Sequence, residues 1–337
     1  MPEPAALVTI VRTQGSTFRR AGAAMLVRAD GSVVNPLAGG CPHRDLIERA
    51  REVMATGQFC YVTYDENHGL DLLLESGCGG MLEVAIEPLS TPLDLAFLTP
   101  LDEALSEVRP FLMTTLFPPE GVGRAAERVV AERGGPSERP DAGHLADFQF
   151  GADGRAVLVE VFGAPVALVI AGAGDEAMRL AALAATLGMG GVITETSDEA
   201  LRGLNLPEGW LAIRARPDQL ASLTGMGADT AMVTMTHHLE RDLANLAAAA
   251  KAGAFYLGAL GSRKRAALIR AAFDAPSLRV PAGLDIGSNT PSEIALAVLA
   301  EILACRHGRM GAALSVMDGA LHRTPFCGDP RERGFIG

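Results

Sequence analysis

A strand, a glycine turn and a helix follow one another at residues 165–188, and this pattern constrains the fold more than any other feature of the sequence. Residues 165–171 form a short apolar run rich in β-branched side chains, which is typical of a buried parallel strand. Next come Gly-Ala-Gly-Asp-Glu-Ala at 172–177 and an amphipathic helical pattern over 178–187. Gly-x-Gly-x-x-Ala between a strand and a helix is the fingerprint of a dinucleotide-type α/β fold.

Further strands are predicted downstream, over residues 192–194, 229–236 and 255–257. Because they alternate with helical segments, the sequence predicts a doubly wound parallel sheet from about residue 165 to 310. Glu195 directly follows the first of these strands, where an acid can accept a hydrogen bond from a ribose hydroxyl. The carboxy-terminal half is therefore predicted to be Rossmann-like.

The glycine turn makes Gly172 and Gly174 candidate cofactor-binding residues for NAD(P). Asp175 and Glu176, however, occupy the first turn of the helix that would receive a pyrophosphate. Carboxylates there satisfy the helix dipole themselves and repel a phosphate. The sequence leaves two interpretations open: weak NAD(P) binding, or a nucleotide fold that holds no nucleotide.

A second glycine turn, at residues 258–265, predicts an anion site. It reads Gly-Ala-Leu-Gly-Ser-Arg-Lys-Arg and precedes a helical pattern, so that backbone N–H groups and cationic side chains stand together. The candidate residues are Gly261, Ser262, Arg263 and Lys264. Alternatively, the cations form a solvated helix face. His237 and His238 follow another strand end and are candidates for ligand binding, or for capping and packing.

Two cysteines in the amino-terminal half are placed to bind a ligand. Gly39 and Gly40 precede Cys41 ahead of a helix predicted over residues 46–56, and Cys78 lies among three glycines. Glycine lets a ligand approach the backbone, and a helix start lowers the pKa of a thiol. Alternatively, the first cysteine is a small buried residue in a tight turn. The spacings lack the pairs that a structural zinc site requires.

The rest of the amino-terminal half is read as a mixture of strands and helices. The predicted strands cover residues 7–11, 24–27, 32–34, 59–63, 70–74 and 81–86. A helix is predicted over 94–108, a second over 124–132, and a strand over 155–162. The stretch 118–141 is rich in proline, glycine and charge, which indicates a connecting region.

Composition excludes several classes of protein. A net charge of −11, without a basic stripe interleaved with aromatics, argues against nucleic-acid binding. No uninterrupted apolar stretch reaches the ~18 residues that would span a membrane. Five cysteines without a regular framework, and no signal peptide, predict a reduced cytoplasmic protein. The chain of 337 residues is long enough for two domains.

Several motifs in one order complete the sequence evidence. In the amino-terminal half they are Gly15-Ser16-Thr17-Phe18-Arg19, Gly22-Ala23-Ala24-Met25, Gly39-Gly40-Cys41, Gly77-Cys78-Gly79-Gly80 and Ile86-Glu87-Pro88. In the carboxy-terminal half they are the Rossmann turn, Thr236-His237 with Asp242, Gly261-Ser262-Arg263-Lys264, Pro281-Ala282-Gly283 and Thr290-Pro291-Ser292-Glu293. With these motifs the chain resembles the XdhC/CoxI family, the accessory proteins that mature xanthine dehydrogenases and related molybdenum hydroxylases.

The resemblance implies an α/β protein of two domains. An amino-terminal mixed α+β domain of the XdhC/CoxI type is expected over residues 1–117, and a linker region over 118–164. A Rossmann-like domain with a doubly wound parallel sheet follows over 165–310, and a tail over 311–337.

The resemblance also implies a chaperone that binds the molybdenum cofactor (molybdopterin), protects it and delivers it to a molybdenum hydroxylase apoenzyme after its terminal sulfur is installed. A cysteine desulfurase partner, a homodimer and an accessory rather than enzymatic role follow from the same resemblance. A thiolate at Cys41 or Cys78 suits molybdenum, and Cys41 is the preferred contact. Cationic side chains suit the pterin phosphate; the candidates are Arg19, Arg20, Arg263 and Lys264.

Two other functions stay open at this point. One is an NAD(P)-dependent oxidoreductase that uses the Rossmann half, and the other is a structural adaptor that docks onto a target enzyme. The chain also departs from the family pattern, at Phe18, Asn35-Pro36, Pro42-His43 and Asp175-Glu176.

Overall fold

The computed structural model describes residues 3–15, 17, 19–37, 40–65, 81–106, 111–119, 125–132, 145–150, 155–162 and 166–317. Its contacts divide the described chain into two units, one within Met1–Gly163 and one within Ala164–Asp318. Each unit has hydrophobic clusters drawn from its own residues.

The first unit begins with a five-stranded antiparallel sheet in the order β3-β2-β1-β5-β4. Its strands are β1 (Ala5–Gln14), β2 (Ala24–Arg28), β3 (Val33–Val34), β4 (Cys60–Tyr64) and β5 (Met81–Leu89). Helix α1 (Gly40–Thr56) packs on one face, where Val8 and Ile10 of β1 join Leu46 in a buried cluster. The strand predicted over residues 70–74 lies outside the described residues.

A second, four-stranded antiparallel sheet in the order β7-β6-β9-β8 completes this unit, together with helix α2 (Leu98–Ser106). Its strands are β6 (Phe111–Leu116), β7 (Glu127–Glu132), β8 (Leu145–Phe150) and β9 (Ala156–Phe162). Phe59, Phe117 and Leu158 share a buried cluster to which both sheets contribute.

The segment expected to be a linker, residues 118–164, thus supplies three strands of this sheet. The helix predicted over residues 124–132 is wrong, because Glu127–Glu132 is a strand paired with β6. Charged residues and a β-branched pair, Val129 and Val130, fill that strand, and its pairing rather than helical propensity decides its conformation.

The second unit contains a six-stranded parallel sheet in the order β12-β11-β10-β13-β14-β15. Its strands are β10 (Ala167–Ala171), β11 (Gly191–Glu195), β12 (Trp210–Arg214), β13 (Thr230–Thr234), β14 (Tyr256–Ala259) and β15 (Leu278–Arg279). Counted from β10, this is the 3-2-1-4-5-6 order of the Rossmann fold. The prediction of a doubly wound parallel sheet is confirmed.

Helices cover both faces of the parallel sheet. They are α3 (Asp175–Thr186), α4 (Asp198–Leu201), α5 (Leu220–Thr224), α6 (Leu239–Lys251), α7 (Arg263–Ala272) and α8 (Pro291–Arg306). Ile170 of β10 packs in a cluster with Leu180 of α3 and Val298 of α8. Its neighbour Val169 packs in the opposite cluster with residues of α6 and α7. Burial on both faces explains why β10 is a continuous apolar run. No helix in the described part of the chain is long and apolar enough to cross a membrane.

Candidate functional site

A cleft of about 670 Å³ lies at the carboxyl ends of β13 and β14 in the second unit. Met235 and His237, which follow β13, and Leu260 and Gly261, which follow β14, line it. Segment 281–289 and helix α8 form another part of the wall. Ligands of open α/β sheets bind at this edge, and the volume is in the range of small-molecule sites.

The Gly172 turn supports the cleft from outside its lining. Gly172 has φ +115°, and a Cβ there would stand 2.7 Å from the carbonyl oxygen of Met235. Its N–H donates to the carbonyl oxygen of Thr194 at 2.9 Å. Glycine is therefore required where the β10–α3 turn crosses the end of β13.

Of the two acids at the start of α3, one enters the cleft. The Oε2 atom of Glu176 lies 3.4 Å from where a Cβ on Gly174 would stand, and Glu176 lines the cleft. The Asp175 carboxylate instead lies 3.5 Å from Nε of Arg179, and 61% of its side chain is exposed. Gly174 is the N-cap of this helix and provides no side-chain hydrogen bond. The first N–H groups of a helix have no partner within the helix, and Glu176 lies in that first turn.

A buried carboxylate holds the lining residue Arg265 in place. Asp242 is fully buried on α6, and its Oδ1 accepts from the hydroxyl of Thr236 at 2.7 Å. Its Oδ2 accepts from Nη2 of Arg265 at 2.7 Å. Through these two bonds Asp242 links the segment after β13 to helix α7. The sequence did not predict that Asp242 pairs with Arg265.

Among the described residues that line the cleft, Arg265 is the one that carries a guanidinium. Nη1 donates to the carbonyl oxygen of His237 at 3.4 Å, while Nε is buried and has no hydrogen-bond partner. A Cβ on Gly261 would stand 2.5 Å from Cδ of Arg265, so this glycine makes room for the arginine. Buried N–H donors without a partner are rare in proteins, and Arg265 lines the cleft, so its guanidinium is a candidate for contact with a ligand oxygen.

Arg263 and Lys264 are exposed in the first turn of α7 and do not belong to the described cleft lining. Ser262 caps that helix, since its hydroxyl accepts from the N–H of Arg265 at 3.3 Å. Side chains on a helix lean toward its N-terminus. Arg265 is the third residue after the cap, so its side chain reaches back over the glycine turn. This spacing from the cap is the sequence signal that distinguishes Arg265 from Arg263 and Lys264.

His237 has φ +59°, in the left-handed region that non-glycine residues rarely adopt. Its side chain is exposed and lines the cleft, whereas His238 is the N-cap of α6 and lies outside the lining. Strained backbone of this kind concentrates at functional sites, which makes His237 the stronger candidate of the pair.

Glu195, at the end of β11, is engaged by other groups of the protein. Its Oε2 accepts from Nη1 of Arg241 at 3.1 Å and from the N–H of Thr196 at 3.0 Å. A ribose hydroxyl that approached this carboxylate would meet an acid already held in an ion pair.

In the first unit, helix α1 begins at Gly40, so Cys41 lies inside its first turn, several residues before the predicted start. That turn contains no acid that would offset the helix dipole. Arg19 is exposed between β1 and β2. Gly39, Cys78 and the side chain of Cys41 lie outside the described residues. Within the described part, no group of three His, Cys, Asp or Glu residues is arranged to hold a metal ion.

Comparison with known proteins places these features in a family. Residues 2–65 match the model of the XdhC and CoxI family, and residues 168–302 match the XdhC Rossmann domain. A solved structure described as a xanthine dehydrogenase from Bacillus halodurans superposes with a TM-score of 0.74 at 25% identity, covering 92% of this chain and 93% of that chain.

Two relatives match nearly the full length. A Bacillus subtilis protein named as a probable subunit of xanthine dehydrogenase is 27% identical over 328 residues, which are 90% of this chain and 94% of that protein. The Escherichia coli molybdenum cofactor insertion chaperone PaoD is 28% identical over 313 residues, 90% of this chain and 83% of that protein. Both halves, the cysteine-bearing amino-terminal segment and the Rossmann unit, are matched in the same order, and the chain belongs to the XdhC/CoxI family.

Proposed function

We propose that this chain binds the molybdenum cofactor, protects it and delivers it to a molybdenum hydroxylase of the xanthine dehydrogenase type. Support comes from the similarity to an insertion chaperone and to a probable component of a xanthine dehydrogenase. The observation that carries the proposal is Arg265, which lines a cleft of about 670 Å³ and whose buried Nε–H has no hydrogen-bond partner.

The cleft fits a group with an oxygen-rich head and a flat body. Each Nη atom of Arg265 donates one of its two N–H groups within the protein, so Nε–H and one N–H on each Nη are left for a phosphate oxygen. Leu260 and Ile294 offer apolar contact to a ring. We assign Arg265 to the pterin phosphate, with the N–H groups near Gly261 and Ser262 as further donors and Arg263 and Lys264 as flanking charges.

Within the first unit, and independently of the cleft, we propose Cys41 as a contact for the metal of the cofactor. A thiol in the first turn of a helix that lacks acids in that turn is favoured as the thiolate. Thiolate is a soft ligand suited to a sulfur-bearing metal centre. When bound, the cofactor supplies the molybdenum centre, and the residues of this chain hold and shield it. Cys78 is the second candidate.

The proposal extends to partners and setting. We propose an apoenzyme of the molybdenum hydroxylase class as the client and a cysteine desulfurase as the source of the terminal sulfur. We further propose that the protein acts as a homodimer in the cytoplasm, as an accessory protein without turnover of its own.

The test measures bound pterin by its fluorescence after oxidative release from the purified protein. We expect Cys41→Ala to lose most of the pterin, Cys78→Ala to lose less, and Arg265→Gln to lose a substantial part. Cys305→Ala, which removes a cysteine of α8 in the second unit, is the control and should retain it. Full retention in Cys41→Ala and Arg265→Gln together would contradict the proposal.

A second candidate, an NAD(P)-dependent oxidoreductase, is favoured by the Rossmann strand order and the Gly172 turn. Glu176 beside that turn and the ion pair at Glu195 weigh against it. The two functions differ in the cofactor recovered, a pterin in one case and a nicotinamide in the other.

A further inference from the structure

The cleft of the second unit carries negative as well as positive charge. Two carboxylates, those of Glu176 and Asp285, line it together with the guanidinium of Arg265. A phosphate gains from the guanidinium and is repelled by the carboxylates. This mixture of charges fits a ligand that has an anionic group at one end and hydrogen-bond donors at the other.

The carboxylate of Glu176 is accessible from the cleft and is not engaged by the protein. The residue is partly exposed, and among the described residues no hydrogen bond or ion pair holds it. Its neighbour Asp175 lies outside the lining and beside Arg179 instead. An ionised carboxylate only accepts hydrogen bonds, so both oxygens of Glu176 are available to donors of a ligand.

The sheet sets the distance between this carboxylate and the phosphate donors. Helix α3 follows β10 and helix α7 follows β14, and β13 lies between these two strands. Two strand spacings amount to roughly 10 Å. Met235 and His237, which follow β13, line the same cleft. A bicyclic ring that carries a phosphate on its side chain is long enough to reach from Glu176 to Arg265.

A ring with two adjacent donors suits a carboxylate better than a ring with one. In a 2-amino-4-oxopyrimidine ring, the ring N–H and the amino group lie side by side and donate in the same direction. A carboxylate accepts both, one on each oxygen, as it does from a guanidinium. Pterins and guanine have this edge, whereas adenine and nicotinamide lack it.

We propose that Glu176 binds the 2-amino-4-oxopyrimidine edge of the ligand in the cleft, while Arg265 binds its phosphate. The assignment rests on the proposed function, because the pterin of the cofactor carries both groups; a guanine nucleotide shares the same chemistry. Leu260 and Ile294 supply apolar contact to the ring. The acid that opposes a pyrophosphate at the first glycine turn is thus the residue that selects the ring.

The test compares guanosine monophosphate (GMP) with inosine monophosphate (IMP), which lacks only the amino group, by isothermal titration calorimetry. It uses the full-length protein, produced in cells that do not make the cofactor. We expect GMP to bind at one site per chain and IMP to bind about tenfold more weakly, because one hydrogen bond to a charged acceptor is lost. Equal affinities, or binding of neither GMP nor neopterin monophosphate, would overturn the proposal.

Variants separate recognition of the ring from a general loss of binding. Glu176→Gln removes the charge and one acceptor at nearly constant size, and should lower the preference for GMP over IMP from about tenfold to about twofold. Arg265→Gln should weaken both compounds about tenfold and leave the preference unchanged. Asp175→Asn is the control and should change neither. A preference that persists in Glu176→Gln, or that is lost in Asp285→Asn instead, would overturn the proposal.

Competition between GMP and neopterin monophosphate, which has the same ring edge and a phosphate, distinguishes the two sources of the ring. Tighter binding of the pterin assigns the cleft to the cofactor, and tighter binding of GMP assigns it to a guanine nucleotide. Failure of the two proposals is also distinguishable. If Glu176→Gln keeps its preference while the wild type retains pterin, the cofactor function stands and the role of Glu176 is wrong. If GMP is preferred and no pterin binds, Glu176 reads the ring and the cofactor function is wrong.

Discussion

The Glu176 side chain lies where the first glycine turn would meet a pyrophosphate. In Rossmann folds the diphosphate sits at the N-terminus of the helix that follows the first strand. Here the corresponding helix is α3, and the carboxylate of Glu176 in its first turn lies beside Gly174. Each such charge opposes an anion by several tenths of a kcal/mol up to about 1 kcal/mol. Glu176 therefore disfavours a dinucleotide at this turn, in addition to the ion pair that engages Glu195.

We therefore expect weak or no NAD or NADP binding by the wild-type protein, and binding about fivefold tighter for Glu176→Val. Isothermal titration calorimetry of both proteins with NAD and NADP measures the difference. Asp175→Asn is the matched control, because that carboxylate is exposed beside Arg179 and should change the affinity less. Tight binding by the wild type would show that Glu176 leaves the phosphate path open and would strengthen the oxidoreductase alternative.

At the scale of elements, the start of α8 holds the cleft segment in place. Thr290 and Glu293 form a capping box, and Oε2 of Glu293 accepts from the N–H groups of Asn289 and Thr290, both at 2.8 Å. These backbone hydrogen bonds lower the pKa of Glu293 below its ordinary value of 4.5. Asn289 lines the cleft, so the cap links the stability of a helix to the shape of the site.

The stabilisation from this cap depends on pH with a definite sign. Because the folded-state pKa is lower than the unfolded-state pKa, the charge stabilises the fold fully above pH 4.5 and the effect is lost as pH falls through the lower value. We expect Glu293→Gln to melt at a lower temperature than the wild type at neutral pH, and the difference to shrink in acid. Thermal unfolding followed by circular dichroism across pH measures it. Glu208→Gln, at an exposed turn, is the control; a constant difference across pH would contradict the prediction.

Local patterns predicted the Rossmann elements because the signal for each element lies within the residues of that element. The apolar run of β10 is buried on both faces, so its composition alone indicates a parallel strand. Strand β7 was missed since its two valines stand among charged residues, and only its pairing with β6 identifies it. The early start of α1 had a signal, Pro42, which favours the first turn of a helix.

The candidate site was predictable only in part for a related reason. Gly261 and His237 could be found because a strand end precedes each of them. The bond between Asp242 and Arg265 joins residues 23 positions apart on different helices, and no local pattern connects them. The spacing from the Ser262 cap directs Arg265 over the glycine turn, and the tertiary contact with Asp242 then holds it there.

At the scale of the whole molecule, hydrophobic cores follow the division into two units. The clusters around Ile170 and Val169 draw all their members from within Ala164–Asp318. The sheet, its covering helices and the cleft all lie in that range. A unit of this size with its own buried clusters has what independent folding requires.

We expect a fragment of residues 164–318 to fold alone, and the single tryptophan of the chain offers a probe confined to it. Trp210 is 5% exposed, and its Nε1–H donates to the carbonyl oxygen of Met189 at 3.0 Å. The emission of the fragment should match that of the full chain and shift to longer wavelength in one cooperative step with urea. Leu168→Asp, which places a carboxylate at a fully buried position of β10, supplies the unfolded reference. If the fragment emits like that variant, the Rossmann unit depends on the rest of the chain for its fold, and the cleft at Arg265 must then be studied only in the full-length protein.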